Sequence, residues 1–298
     1  MASATVHRGI GAGRAKALCQ GLRLRPWHVM AFAVAVLAVS WLAVLLVDLL
    51  NVLGTRDRLA ASEMERQAVW QHLFNDQPVE WLQWVALAST GILAGVLGGI
   101  SLGRGEQLPA RFWLVFGAGV SLMLLEDAGD IRHVMADWVE RISDSGFPDS
   151  FQRGAPAQAF DMVYLGALGA VPLYALFRYR QGAWHVNATR RYLIVGFVAY
   201  GIAATASTTS QVGQWYWRAG EFVNERVAGG QMVFHEEAEP GLREFLFVDG
   251  VLEESVELVG AAAILAATVA YLLYLLERQK EPQEGNRGSP GNDERPAR

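Results

Sequence analysis

The stretch Phe112-Trp113-Leu114-Val115-Phe116-Gly117-Ala118-Gly119-Val120-Ser121-Leu122-Met123-Leu124-Leu125-Glu126-Asp127-Ala128-Gly129-Asp130-Ile131-Arg132-His133 decides how this chain is read. It is apolar and uncharged from Phe112 to Leu125, then turns acidic. Crossing ~30 Å of hydrocarbon at ~1.5 Å per residue takes ~20 residues. A helix that enters near Phe112 therefore leaves near Ile131, with Glu126, Asp127 and Asp130 still inside its far end. Carboxylates at that depth are costly to bury and normally have a partner or a task. The stretch predicts a transmembrane helix with a charged site at one end.

Composition extends this to the whole chain. Of 298 residues, 52% are hydrophobic and 18% charged. Several further apolar runs approach membrane length, which a soluble domain rarely carries. The expected fold is all-α and polytopic, with six spans at about 29–50, 81–102, 112–133, 159–177, 192–211 and 253–276. These form a membrane domain over 29–277. A basic tail over 1–28 and a disordered Pro/Gly/charge-rich tail over 278–298 flank it. The run Val29 to Val47 is too long for the core of a cleaved signal peptide and reads as an uncleaved anchor. Cys19 is the only cysteine, so no intrachain disulfide forms.

The distribution of Lys and Arg sets the topology. Sixteen of the 25 fall in the N-tail, the 103–111 and 178–191 loops and the C-tail; eight fall in the alternate loops. This positive-inside pattern places both termini in the cytoplasm. Trp27, Trp113 and Trp184 then sit at inner interfaces, and Trp81, Trp84, Trp138, Trp215 and Trp217 at outer ones. The expected location is a bacterial inner membrane, multi-pass, with lipid as a neighbour.

Helix faces and loops follow. Gly91, Gly95, Gly99 and Gly103 recur every four residues, a small-residue face for close helix packing or a membrane-protein partner. Gly260, Ala263, Ala267 and Ala270 look like a second such face. The outer segments are helical or irregular: 55–77 reads as a surface helix with Ser62 and Glu65 spaced as a capping box. Residues 144–158 read as a loop. The segment 212–252 reads as helical to about Val227, then irregular or hairpin-like through His235, Pro240 and Phe247. Its acids are a further surface for a partner.

The chemistry is predicted at the outer ends of the spans. Asp48, Glu126, Asp127, Asp130, Asp161, Glu253, Glu254 and Glu257 all fall there. Continuous helical spacing puts Glu126, Asp130 and His133 on one face. Asp130-x-x-His133 resembles the carboxylate-x-x-His element with which helical bundles hold two metals. Glu126, Asp130, His133, Glu254 and Glu257 are the candidate ligands for a divalent metal (Mn, Fe, Zn or Mg), with Asp127 and Glu253 as candidate catalytic bases. Ser207, Thr208, Thr209 and Ser210 lie at the same level and suit either a polar head group or carbonyl capping.

Other chemistries are excluded. Lys16 and Lys280 are the only lysines and both are cytoplasmic, which rules out a Schiff base within the membrane. No phosphate-binding Gly-rich loop, no CxxC and no nucleic-acid-binding pattern is present. Three functions fit: a metal-dependent enzyme acting on a lipid-like substrate, a cation or proton transporter or channel, and a non-catalytic assembly or sensor subunit. The inner halves of the spans are nearly free of polar residues, which disfavours transport.

Overall fold

The computed structural model describes residues 25–61, 68–75, 78–143, 155–210, 214–232 and 242–278, with side chains at all of these except 60, 133, 140, 143 and 155–157. Most of the N-tail, the Ser62/Glu65 capping box, residues 144–154 of the predicted 144–158 loop, His235, Pro240 and nearly all of the C-tail lie outside these residues; 155–158 are helical instead of loop. The described residues form helices and no strand.

Twelve α-helices follow in order: α1 Pro26–Val44, α2 Thr55–Ala60, α3 Val69–Leu73, α4 Pro78–Gly103, α5 Gln107–Gly129, α6 Ile131–Ser143, α7 Ala155–Tyr179, α8 Gln181–Trp184, α9 Asn187–Thr209, α10 Trp215–Arg226, α11 Leu242–Phe247 and α12 Glu254–Arg278. A π-turn, Leu45–Leu49, prolongs α1, and another, Val248–Glu253, joins α11 to α12. Six helices are long and apolar enough to cross a membrane, as the sequence predicts. They are α1 with its π-turn, α4, α5, α7, α9, and α12 with the elements leading into it.

α12 is the centre of the bundle. It packs on α1, α4 and α9, and α5 links α4 to α7. Its small residues explain the position, because Gly260, Ala263, Ala267 and Ala270 are all buried. A Cβ on Gly260 would lie 2.8 Å from the Tyr200 ring, and one on Gly196 of α9 would lie 2.6 Å from Ile264. Helices that gain no hydrophobic drive from lipid gain dispersion contact this way.

The glycine ladder of α4 is only partly a packing face. Gly91 faces Ser121 of α5, but the positions of Gly95, Gly99 and Gly103 meet open space. The surface packed against α5 is instead Gly91, Ala94 and Gly98, with Gly117 fitted against Ala94. Packing follows ridges at both three- and four-residue spacing, and the four-residue ladder drifts off the contact.

One half of the bundle is filled with aromatic rings. Trp113, Phe112, Phe116 and Tyr271 are essentially inaccessible. Trp113 and Tyr271 lie 4.9 Å apart, and Phe112 stacks on Phe116. At the other end α2, α3, α10 and α11 form a cap over α1 and α12. There Trp70, Phe74, Tyr216 and Phe247 make a second apolar core. The piece leading to Phe247 is helical in α11, not irregular, and Gly220 of α10 permits its docking: a Cβ there would sit 2.1 Å from the Glu244 carbonyl oxygen.

Asp48 belongs to this cap. The π-turn carries its carboxylate to a site 2% exposed, where it accepts the backbone N–H groups of Val69 and Trp70 at 2.9 and 2.8 Å. It thus caps the orphan donors at the start of α3 from another part of the chain.

Candidate functional site

α5 stops at Gly129 because Asp130 takes a left-handed conformation, φ 45° and ψ 36°. Aspartate tolerates that region better than most residues, its short polar side chain bonding locally. α6 then starts in a new direction, so the expected shared face of Glu126, Asp130 and His133 does not form. Spacings of four and three give a shared face only along a continuous helix, and the left-handed residue breaks it. Asp130 is exposed at the rim, and the side chain of His133 lies outside those described.

The break has a consequence two residues on. It turns Arg132 back toward the bundle, where it is 13% exposed. Its Nη1 donates to Ser207 Oγ at 2.7 Å, and its Nε lies 3.8 Å from Glu126 Oε1. Burial alone would lower the Arg132 pKa, but the carboxylates of Glu126, then Glu253, Asp161 and Asp249, outweigh it and raise it above the ordinary value. Arg132 remains a fixed positive charge.

α4, α5, α7, α9 and α12 enclose a cavity of about 670 Å³ beside it. Four groups of acids line it: Glu80 from α4; Glu126, Asp127 and Asp130 from the end of α5; Asp249 and Glu253 from the π-turn; and Glu254 and Glu257 from α12. Arg132 is the only basic residue among the lining residues. Six predicted site residues, Glu126, Asp127, Asp130, Glu253, Glu254 and Glu257, therefore border one space.

Gln83 organises the deep end. It is 1% exposed, and its amide Nε2 donates to Asp127 Oδ2 at 2.8 Å and to Glu257 Oε2 at 2.7 Å. Both amide hydrogens are thereby used, which fixes two carboxylates from α5 and α12 against one residue of α4. The Gln83 Oε1, the Tyr200 hydroxyl and the Glu254 Oε2 are buried with no hydrogen-bond partner among the described residues. At the rim, Tyr216 donates its hydroxyl to Glu253 Oε2 at 2.7 Å. Burial and the Glu253 charge push the Tyr216 phenol above its ordinary range.

Gln83 and Tyr200 escaped the sequence reading. A neutral glutamine and a tyrosine in apolar runs look like ordinary span residues. The available signal was spacing, since Glu80, Gln83, Trp84 and Leu87 fall at three- and four-residue intervals on one face of α4, and all four line the cavity. The hydroxyls at the end of α9 divide. Ser207 receives Arg132, while Thr208 and Thr209 bond back to the carbonyls of Ala204 and Thr205.

Among the described residues no three His, Cys, Asp or Glu side chains are arranged to hold a metal ion. The reason is visible in the partners: Glu126 is turned to Arg132, Glu253 to Tyr216, and Asp127 and Glu257 to the same Gln83 amide. What the arrangement does offer is a set of carboxyl groups and hydrogen-bond acceptors at one end of a cavity whose other walls are mostly apolar. The chain matches no protein-family model, no curated protein and no solved structure.

Proposed function

We propose that this multi-pass membrane protein binds a positively charged ligand in the acidic cavity at the outer end of its bundle. One observation carries the reading: eight carboxyl groups line a space in which Arg132 is the only base. Asp127 and Glu257 are bonded to the neutral Gln83 amide and Glu254 lies beside them; carboxylates at membrane depth cost several kcal/mol per ion, which a cation or a proton offsets. The hydrogen bonds of Gln83 hold Asp127 and Glu257 in place but supply no charge.

The reading favours a binding or reaction site over a conduit. The opposite half of the bundle is packed with Phe112, Trp113, Phe116 and Tyr271, and the hydroxyls of Thr189, Thr268 and Tyr271 there are bonded to backbone carbonyls. The sixteen-to-eight division of Lys and Arg points the acidic end outward, toward the extracytoplasmic side. An organic ammonium fits the partners better than a divalent metal, because the acids are spread among different partners instead of converging on one point.

Calorimetric titration of purified protein with ethylammonium, Mn²⁺ and Zn²⁺, and with acetate as the anionic control, tests this. Saturable binding of ethylammonium is expected, weakened roughly ten-fold or more by Asp127→Asn and by Glu257→Gln, about 1.4 kcal/mol each. Saturable Mn²⁺ or Zn²⁺ binding lost in the same variants would restore the metal-dependent enzyme. Absence of any saturable cation binding would overturn the proposal.

A further inference from the structure

Resting on that reading, we infer that the ligand is an amphiphile with an N–H-bearing ammonium head and an alkyl chain, admitted sideways from the lipid between α7 and α9. The cavity has two chemically different ends. Its acidic end is built around Asp127, Glu254 and Glu257. Its other walls are Met123, Leu165, Leu168, Phe197 and Ile264. At about 670 Å³ it lies within the range of small-molecule sites.

The side entrance follows from how the helices meet. α7 packs closely on α5 but touches α9 only sparsely. Gly166 and Gly169 of α7 and Gly201 of α9 all line the cavity, and a Cβ on any of them would find nothing within 4 Å. Gly95, Gly99 and Gly103 of α4 also meet open space, but only Gly166, Gly169 and Gly201 do so on the cavity wall, where they leave a slot. Met162 and Leu173, also on the cavity wall, are 47% and 38% exposed.

The head group is set by the unpartnered acceptors. Gln83 is 1% exposed, lines the acidic end, and its Oε1 has no hydrogen-bond partner among the described residues. The Tyr200 hydroxyl and Glu254 Oε2 are in the same condition. A buried acceptor without a donor costs about 1–3 kcal/mol. A primary ammonium carries three donors and a positive charge, which answers both deficits. A quaternary ammonium brings the charge without the donors.

The probe is a dodecylamine carrying a mid-chain diazirine, photolysed with the protein in phosphatidylcholine nanodiscs and mapped by mass spectrometry. Labelling is expected on the cavity-facing residues of α7 and α9, several-fold above that by the trimethylammonium analogue. Gly169→Phe and Gly201→Phe, at positions where a Cβ meets nothing within 4 Å, put a ring in the slot and should suppress this labelling while the thermal midpoint in detergent is retained. Competition by unlabelled dodecylamine and by a two-chain ammonium lipid separates a free amine from a lipid as the source. Labelling spread over outward positions such as Phe32 and Ile92, as a neutral photoreactive dodecanol would give, overturns the inference; so does full labelling in both glycine variants. Wild-type protein that fails to bind ethylammonium removes the parent reading instead, so the two failures are distinguishable.

Discussion

Two aspartates in similar sequence settings do different work, and only their partners tell them apart. Asp48 and Asp127 both end an apolar run. Asp48 is consumed by the backbone N–H groups of Val69 and Trp70, whereas Asp127 meets Gln83 in the cavity. Asp48→Ala is therefore expected to cost roughly 1 kcal/mol of stability, the ordinary cost of a lost helix cap. Its thermal midpoint in detergent should fall while ethylammonium affinity stays at the wild-type value; a selective loss of affinity would place Asp48 in the site. Tyr216 gives a pH test. Its folded pKa is raised, so stability is full below the ordinary phenol pKa of ~10 and declines above it, where only the unfolded chain releases the proton. The thermal midpoint should drop between about pH 10 and 11, and less steeply in Tyr216→Phe. Equal slopes would deny the buried bond to Glu253.

Elements were legible where one periodicity governs them, and not where a single residue interrupts it. All six spans can be read from length and hydropathy, and the Gly260–Ala270 face from its small residues, because both depend on composition averaged over many turns. The end of α5 depends on one left-handed residue, Asp130, and the spacing of Glu126 to His133 carries no trace of it. The two π-turns have the same effect: one extra residue per turn rotates Asp48 and Glu253 away from the faces simple helical counting assigns. The candidate acids could be found because carboxylates in apolar runs are conspicuous; Gln83 and Tyr200 could not, because only their contacts distinguish them. Packing makes a separate test at this scale. Gly220→Ala places a methyl against the Glu244 backbone of α11, an overpacking worth about 1–3 kcal/mol or more. Gly95→Ala, facing open space on α4, should be neutral or slightly stabilising. Thermal midpoints of the two variants check this, and equal effects would mean that α10 and α11 are not docked as described.

At the scale of the molecule, a central helix of small residues lets α1, α4 and α9 pack directly on it, and the sparse meeting of α7 with α9 leaves the cavity between them. Orientation in the membrane follows from charge and not from shape. A reporter active only outside the cytoplasm, fused after Arg298, should be silent; activity there would turn the acidic end to the cytoplasmic side. All of this requires a cation at the carboxylate end of the cavity. The most direct measurement is modification by dicyclohexylcarbodiimide, an apolar reagent that attacks carboxyl groups in membranes, followed by mass spectrometry with and without ethylammonium. Modification of Asp127, Glu254 or Glu257 should fall several-fold when ethylammonium is present, while exposed Asp137 on α6 is unaffected. Modification of the three at the same rate with and without the cation would contradict it.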